Sequence, residues 1–160
     1  MFFLNGVFFD DKETAKKARI LARTRPFENC NSRELKMVAR LARFQDMEEN
    51  ETLVQKGEEG KGLYVLENGQ VSVRFKKDGP VVAKIGAGNF FGEMSLLDEK
   101  PRTAWVRCDA AGRLLFLSRQ DFFGLLSKNS DLAAKILFAL GRTLSDRLRQ
   151  TNKQLEEKIK

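Results

Sequence analysis

Between residues 44 and 118, short apolar runs alternate with Gly, Asn and Asp. This is a rhythm of strands and turns rather than of long helices. The runs are Thr52-Leu53-Val54, Gly62-Leu63-Tyr64-Val65-Leu66, Gln70-Val71-Ser72-Val73-Arg74-Phe75, Val81-Val82-Ala83-Lys84-Ile85 and Leu114-Leu115-Phe116-Leu117. Val71 to Phe75 alternates apolar and polar, the period of a half-buried strand. Asn68-Gly69 and Asp78-Gly79-Pro80 are turn signals, the first of them typical of a hairpin. Many short strands at regular spacing predict an antiparallel sandwich or jelly roll.

Helical segments flank this zone. Asp10 or Asp11 can cap a helix running from Lys12 to Arg23, with Pro26 at or just past its end. Asn31 or Ser32 can cap a second, in which Leu35, Val38, Ala39, Leu41 and Ala42 recur at helical spacing. After the strands, Asp121–Ser127 reads as a short helix. Ser130 or Asp131 opens a long one reaching toward the C-terminus. Its apolar positions Leu137, Leu140, Leu144, Leu148, Thr151, Leu155 and Ile159 form a heptad-like seam. The favoured reading is pairing with a second copy; the other is packing back on its own domain. The apolar start, Met1 to Phe9, is too short and too interrupted by Asn5-Gly6 for a signal peptide or a spanning helix. It is expected to be an extended piece packed on the domain or a partner, in a cytoplasmic protein with no membrane association.

The 160 residues suffice for one domain with its own core. They include no histidine. That removes the commonest general base, the Ser-His and Cys-His nucleophile pairs, and His-ligated zinc or haem. Two cysteines, Cys30 and Cys108, are too few for a cluster and are read as reduced. The chain is therefore read as a non-enzyme without a metal or resident cofactor. The net charge of +7 has its excess in residues 101–160, with 12 basic and 6 acidic side chains. Most of that excess reads as a solvated helix face, without the aromatic interleaving or reading helix of a sequence-specific DNA-binding protein.

The stretch carrying the most chemistry is Phe90-Phe91-Gly92-Glu93-Met94-Ser95-Leu96-Leu97-Asp98-Glu99-Lys100-Pro101-Arg102-Thr103-Ala104-Trp105-Val106. Gly92 permits a tight turn and a close backbone approach to a ligand. Glu93 to Leu96 can form one helical turn with free N–H groups. Arg102 presents a planar fork of donors that matches phosphate, and Thr103 adds a hydroxyl. Glu93 would be odd against phosphate but suits a sugar hydroxyl. Two readings follow from the chemistry alone: a phosphorylated-sugar site, or a buried Arg102–Glu93 salt bridge.

This stretch closely resembles the phosphate-binding cassette of cyclic nucleotide-binding domains, the family of the catabolite activator and protein kinase A regulatory subunit type. The likeness lies in Phe91-Gly92-Glu93-Met94-Ser95-Leu96 followed by Pro101-Arg102-Thr103-Ala104, continuing through Trp105-Val106-Arg107. Lys56-Gly57-Glu58-Glu59-Gly60, Leu63 to Gly69 and Gly86-Ala87-Gly88-Asn89 look like the family's turn segments. The resemblance spans about residues 27–150.

The resemblance implies a mainly β fold with flanking helices. It divides the chain into an N-terminal extension and helix (1–26), a jelly-roll barrel (27–128) and a C-terminal hinge or dimerisation helix (129–160). It implies a 3′,5′-cyclic nucleotide ligand, cAMP favoured over cGMP. Glu93 would accept the ribose 2′-hydroxyl. Arg102 would pair with the cyclic phosphate, helped by Thr103 and by N–H groups around Met94, Ser95 and Ala104. Phe91, Val73 and Ala83 would wall the sugar and base. Arg147, with Leu148, falls where the long helix would lid the base. Ligand would reposition the helices after the barrel, and the signal would pass to an unidentified effector protein. The absence of histidine and the two cysteines also exclude the haem and iron–sulfur sensors of this fold. The alternative is an interaction or scaffold module whose barrel has lost ligand binding. The family's helix-turn-helix domain would begin about where the sequence stops, so the expectation is a stand-alone sensor or a fragment.

Overall fold

The computed structural model describes residues 3–4, 7–8 and 11–159. Two short strands, β1 (Phe3–Leu4) and β2 (Val7–Phe8), pair antiparallel. What the N-terminal segment packs against, and Asp10 as a cap, lie outside the described residues. Helix α1 (Asp11–Ala22) leads into a 3-10 turn over Arg25–Phe27 that carries Pro26 in its first turn. Helix α2 (Ser32–Leu41) begins at Asn31 with a complete capping box: the Asn31 side chain accepts from the Glu34 N–H, and Glu34 accepts from the Asn31 N–H.

Eight further strands follow: β3 (Arg43–Met47), β4 (Thr52–Val54), β5 (Gly62–Leu66), β6 (Gln70–Arg74), β7 (Ala83–Gly86), β8 (Phe90–Phe91), β9 (Trp105–Ala110) and β10 (Gly112–Ser118). They form two four-stranded antiparallel sheets, ordered β3-β10-β5-β8 and β4-β9-β6-β7. Helix α3 (Glu93–Leu97) interrupts the strands, while α4 (Arg119–Leu126) and α5 (Ser130–Ile159) close the chain. The result is the antiparallel jelly roll with flanking helices that the strand rhythm predicts. Val81 and Val82 precede β7 as exposed residues rather than joining it.

The two sheets differ in sequence because they differ in burial. In sheet β3-β10-β5-β8, strands β10, β5 and β8 are covered on both faces. Leu63 and Val65 of β5, Leu115 and Leu117 of β10 and Phe90 of β8 face the helices, with Leu21, Phe27, Val38, Phe122, Ile136 and Leu140. Their neighbours Leu66, Leu114 and Phe91 face into the barrel with Val54, Val71 and Val106. Burial on both faces gives unbroken apolar runs. On the other sheet Val71 lies in the barrel core while Ser72, also buried, spends its hydroxyl on Asp109 at 2.7 Å. Cys30 and Cys108 belong to different clusters and are not bonded to each other.

Helix α5 is about 45 Å long at the usual rise per residue. Its buried side chains, Leu132, Ile136, Ala139, Leu140 and Thr143, all lie in its first half. There it packs on its own domain, mainly against the 3-10 turn. The seam expected from the sequence therefore divides: Leu140 is domain core, while Leu148, Leu155 and Ile159 are 57–77 % exposed. No helix among the described residues is long and apolar enough to cross a membrane.

Helices α2 and α5 are also braced by charge. Lys135 Nζ donates to both Glu34 oxygens at 2.9 Å. The Lys135 hydrogen bond, reinforced by the Asn31 N–H, holds the Glu34 carboxyl below the usual carboxylate range. A carboxyl depressed on folding contributes stability above its unfolded pKa and loses that contribution as pH falls through the folded value. Glu34→Gln keeps the cap but removes the charge. The variant should be less stable than wild type at neutral pH in urea titrations, and the gap should close as pH is lowered from about 5 to about 2. A gap that persists in acid would mean that the charge is not its source.

Candidate functional site

The site is built where β8 ends. Gly92 has φ +88°, a conformation that favours glycine, and a Cβ there would lie 2.7 Å from both Arg102 Nη1 and the Gly62 carbonyl oxygen. The turn is thus demanded twice, by backbone geometry and by the guanidinium passing beside it. α3 follows at once and presses against the chain at Gly60, where a Cβ would come within 2.0 Å of Ser95 Cβ. The loop after α3 is strapped to the segment after β4: Arg102 N donates to Glu58 O and Gly57 N to Arg102 O, both at 2.8 Å.

Arg102 is only 8 % exposed. Its Nη2 donates to Gly62 O at 2.9 Å and its Nη1 to Gly92 O at 3.3 Å, and the group lies 5.8 Å from the Tyr64 ring centre. Tyr64 is itself stacked on Phe91 at 4.8 Å. Arg102 Nε is buried without a partner. No carboxylate among the described residues forms an ion pair with Arg102, and burial pushes its pKa down. Of the two readings the sequence left open, the Arg102–Glu93 salt bridge is absent. Glu93, equally buried, instead pairs with Arg147 of α5, which also donates from Nη2 to Phe90 O at 3.3 Å.

Arg102 and Glu93 border a single cavity of about 190 Å³ beside α3. Ser95 and Thr103 contribute to its polar side, and the backbone segments at Gly92, Met94 and Ala104 edge it. Val73 of β6 and Phe91 of β8 form part of its apolar wall, and Arg147 stands at its border. Ala83 is not part of it. This residue begins β7, where the hairpin has left the barrel, and its side chain is exposed. Ile85, two residues deeper on the same face of β7, supplies the wall in its place. Val54 and Val106 line the cavity as well and were not singled out from the sequence. A period of two run from Ala83 reaches Ile85 on the same strand. Nothing local marks Gly62, which acts on Arg102 through its carbonyl.

The arrangement places a buried cation that is in no ion pair, and a fixed carboxylate, at the border of a small cavity that aliphatic and aromatic side chains also line. Such a site suits an anionic group attached to a hydroxyl-bearing, partly apolar body.

Comparison with known proteins agrees with this chemistry. Residues 44–129 match the family model described as cyclic nucleotide-binding domain. The chain is 40 % identical over 83 residues to the cAMP-dependent protein kinase regulatory subunit of Aspergillus fumigatus, covering 51 % of this chain and 20 % of that protein. It is 33 % identical over 108 residues to the cAMP-activated global transcriptional regulator CRP of Haemophilus influenzae, covering 65 % of this chain and 46 % of that protein. The matched region thus spans less than half the length of either relative. Among solved structures, a cyclic nucleotide-binding domain from Methylobacillus flagellatus superposes with a TM-score of 0.79 at 26 % identity, covering 92 % of this chain and 85 % of that one. With more than half of its residues inside the family model and the cassette folded around a buried arginine, the chain belongs to the cyclic nucleotide-binding domain family.

Proposed function

We propose that this protein is a cyclic nucleotide sensor that binds a 3′,5′-cyclic nucleotide, cAMP in preference to cGMP, beside α3. The observation that carries this reading is Arg102: a buried guanidinium with no carboxylate partner and an orphaned Nε. A buried charge without a directly paired counter-charge is costly, and a phosphate in the cavity supplies one. Glu93 accepts the ribose hydroxyl in this reading, Thr103 and the backbone around Met94, Ser95 and Ala104 support the phosphate, and Val73, Ile85 and Phe91 contact the sugar and base. Both curated relatives are named for cAMP, which favours adenine.

Occupancy has two physical routes out of the site. Glu99, in the loop after α3, pairs with Arg119 at the start of α4 at 3.0 Å, and Arg119 N donates to Lys61 O at 2.9 Å. Arg147 joins α5 to Glu93. A ligand that prefers one placement of α3 and its loop therefore shifts the populations of both helices. The exposed half of α5 is the surface offered outward, to a second copy through Leu148, Leu155 and Ile159 and onward to an effector protein.

Calorimetric titration with cAMP and cGMP tests the site. Wild type should bind, and Arg102→Ala should lose about 2–5 kcal/mol of affinity, the scale for truncating one partner of a buried charge pair. A folded wild type that binds no cyclic nucleotide would leave the barrel as an interaction module. Pairing is tested by sedimentation: wild type should be a dimer, and truncation after Ser145 should yield a monomer. An unchanged dimer would place the interface elsewhere.

A further inference from the structure

α5 leaves the domain at one identifiable turn. Beyond Thr143 none of its described side chains is buried. At that turn, adjacent residues tie it down in two directions: Asp146 accepts from Arg25 of the 3-10 turn, and Arg147 reaches the junction of β8 and α3. Arg147 makes three contacts there. Its Nη1 donates to Glu93 Oε1, its Nη2 donates to Phe90 O at 3.3 Å, and its guanidinium lies over the Phe90 ring at 5.1 Å.

The use of Glu93 by these contacts is one-sided. The guanidinium takes Oε1, while Oε2 receives no hydrogen bond among the described residues. Glu93 borders the cavity, so its second oxygen is left for a donor arriving there. Phe90 belongs to the helix-side core, whereas its neighbour Phe91 belongs to the barrel core. Arg147 therefore grips the strand from its outer face, at the carboxylate end of the cavity. The β6–β7 wall formed by Val73 and Ile85 belongs to the other sheet.

Resting on the cyclic nucleotide reading, we propose that Arg147 is a positioning residue for Glu93: it holds the carboxylate that receives the ribose 2′-hydroxyl, and thereby makes that one hydrogen bond depend on where α5 stands. A buried carboxylate with no side-chain partner is free to turn and poorly placed to accept. The fork of an arginine fixes it while also engaging a carbonyl and a ring, a combination that the point charge of lysine reproduces only in part. This role differs from a lid on the base: the group that Arg147 serves is the sugar.

The distinction is measurable with a ligand lacking only that hydroxyl. Wild type, Arg147→Met and Arg147→Lys are titrated with cAMP and with its 2′-deoxy analogue, thermal unfolding confirming that each variant is folded. Wild type should prefer cAMP by about 10-fold or more, the scale of a hydrogen bond to a charged group. In Arg147→Met the preference should fall to about 3-fold or less, and Arg147→Lys should restore part of it. If Arg147→Met weakens both ligands by the same factor, the guanidinium acts on base, phosphate or fold, and the positioning role is wrong. It is equally wrong if the preference survives in the variant, or if wild type shows none. A wild type that binds neither nucleotide overturns the cyclic nucleotide reading itself, an outcome separate from the others.

Discussion

The site rests on the burial of one guanidinium. Arg102 sits among backbone carbonyls instead of carboxylates, and much of the surrounding chain is arranged to allow it. Gly92 must turn with positive φ so that its carbonyl and the absence of a side chain admit Nη1. Gly62 must present its carbonyl from the edge of β5. The chain at Gly57 and Glu58 must cross the cassette loop closely enough to exchange two backbone hydrogen bonds with Arg102 itself. Carbonyl dipoles solvate the cation without neutralising it and leave it outside any ion pair. An arginine paired to glutamate would have been easier to bury and useless to an anion.

The separation of the two charges follows from the same economy. If Glu93 had paired with Arg102, the carboxylate and the guanidinium would have consumed each other's hydrogen-bonding capacity. Bringing a second arginine from α5 to Glu93 keeps Arg102 available and ties the remote helix to the cassette through a side chain that already has a role. The cavity is thereby bordered by a guanidinium and a carboxylate that are not paired with each other.

The jelly roll was legible in the sequence because turn residues and strand periods are local signals: Asn68-Gly69 marks a turn, and the alternation from Val71 onward marks a strand with one buried face. The cassette was legible as a motif, down to Gly92, Glu93 and Arg102. Two things were not. Ala83 stops two residues short of the cavity wall at Ile85, because a strand's phase can be read from its residues while the depth at which it enters the barrel cannot. The partner of Glu93 lies 54 positions away on an element whose angle to the barrel is set by packing at Leu132, Ile136 and Leu140. No spacing rule reaches that far. The seam on α5 describes the helix in isolation, whereas the domain takes Leu140 from it and leaves Leu148, Leu155 and Ile159 exposed.

That division of α5 has a mechanical consequence. The helix is tied down as far as Arg147 and continues for 12 residues to Ile159, an arm of about 18 Å. Rotation at the clamp is multiplied along it: a tilt of about 10° at Arg147 carries Ile159 through about 3 Å on that rise per residue. A lever anchored beside the cavity thus enlarges a small rotation of its base into a displacement of several ångströms at its tip.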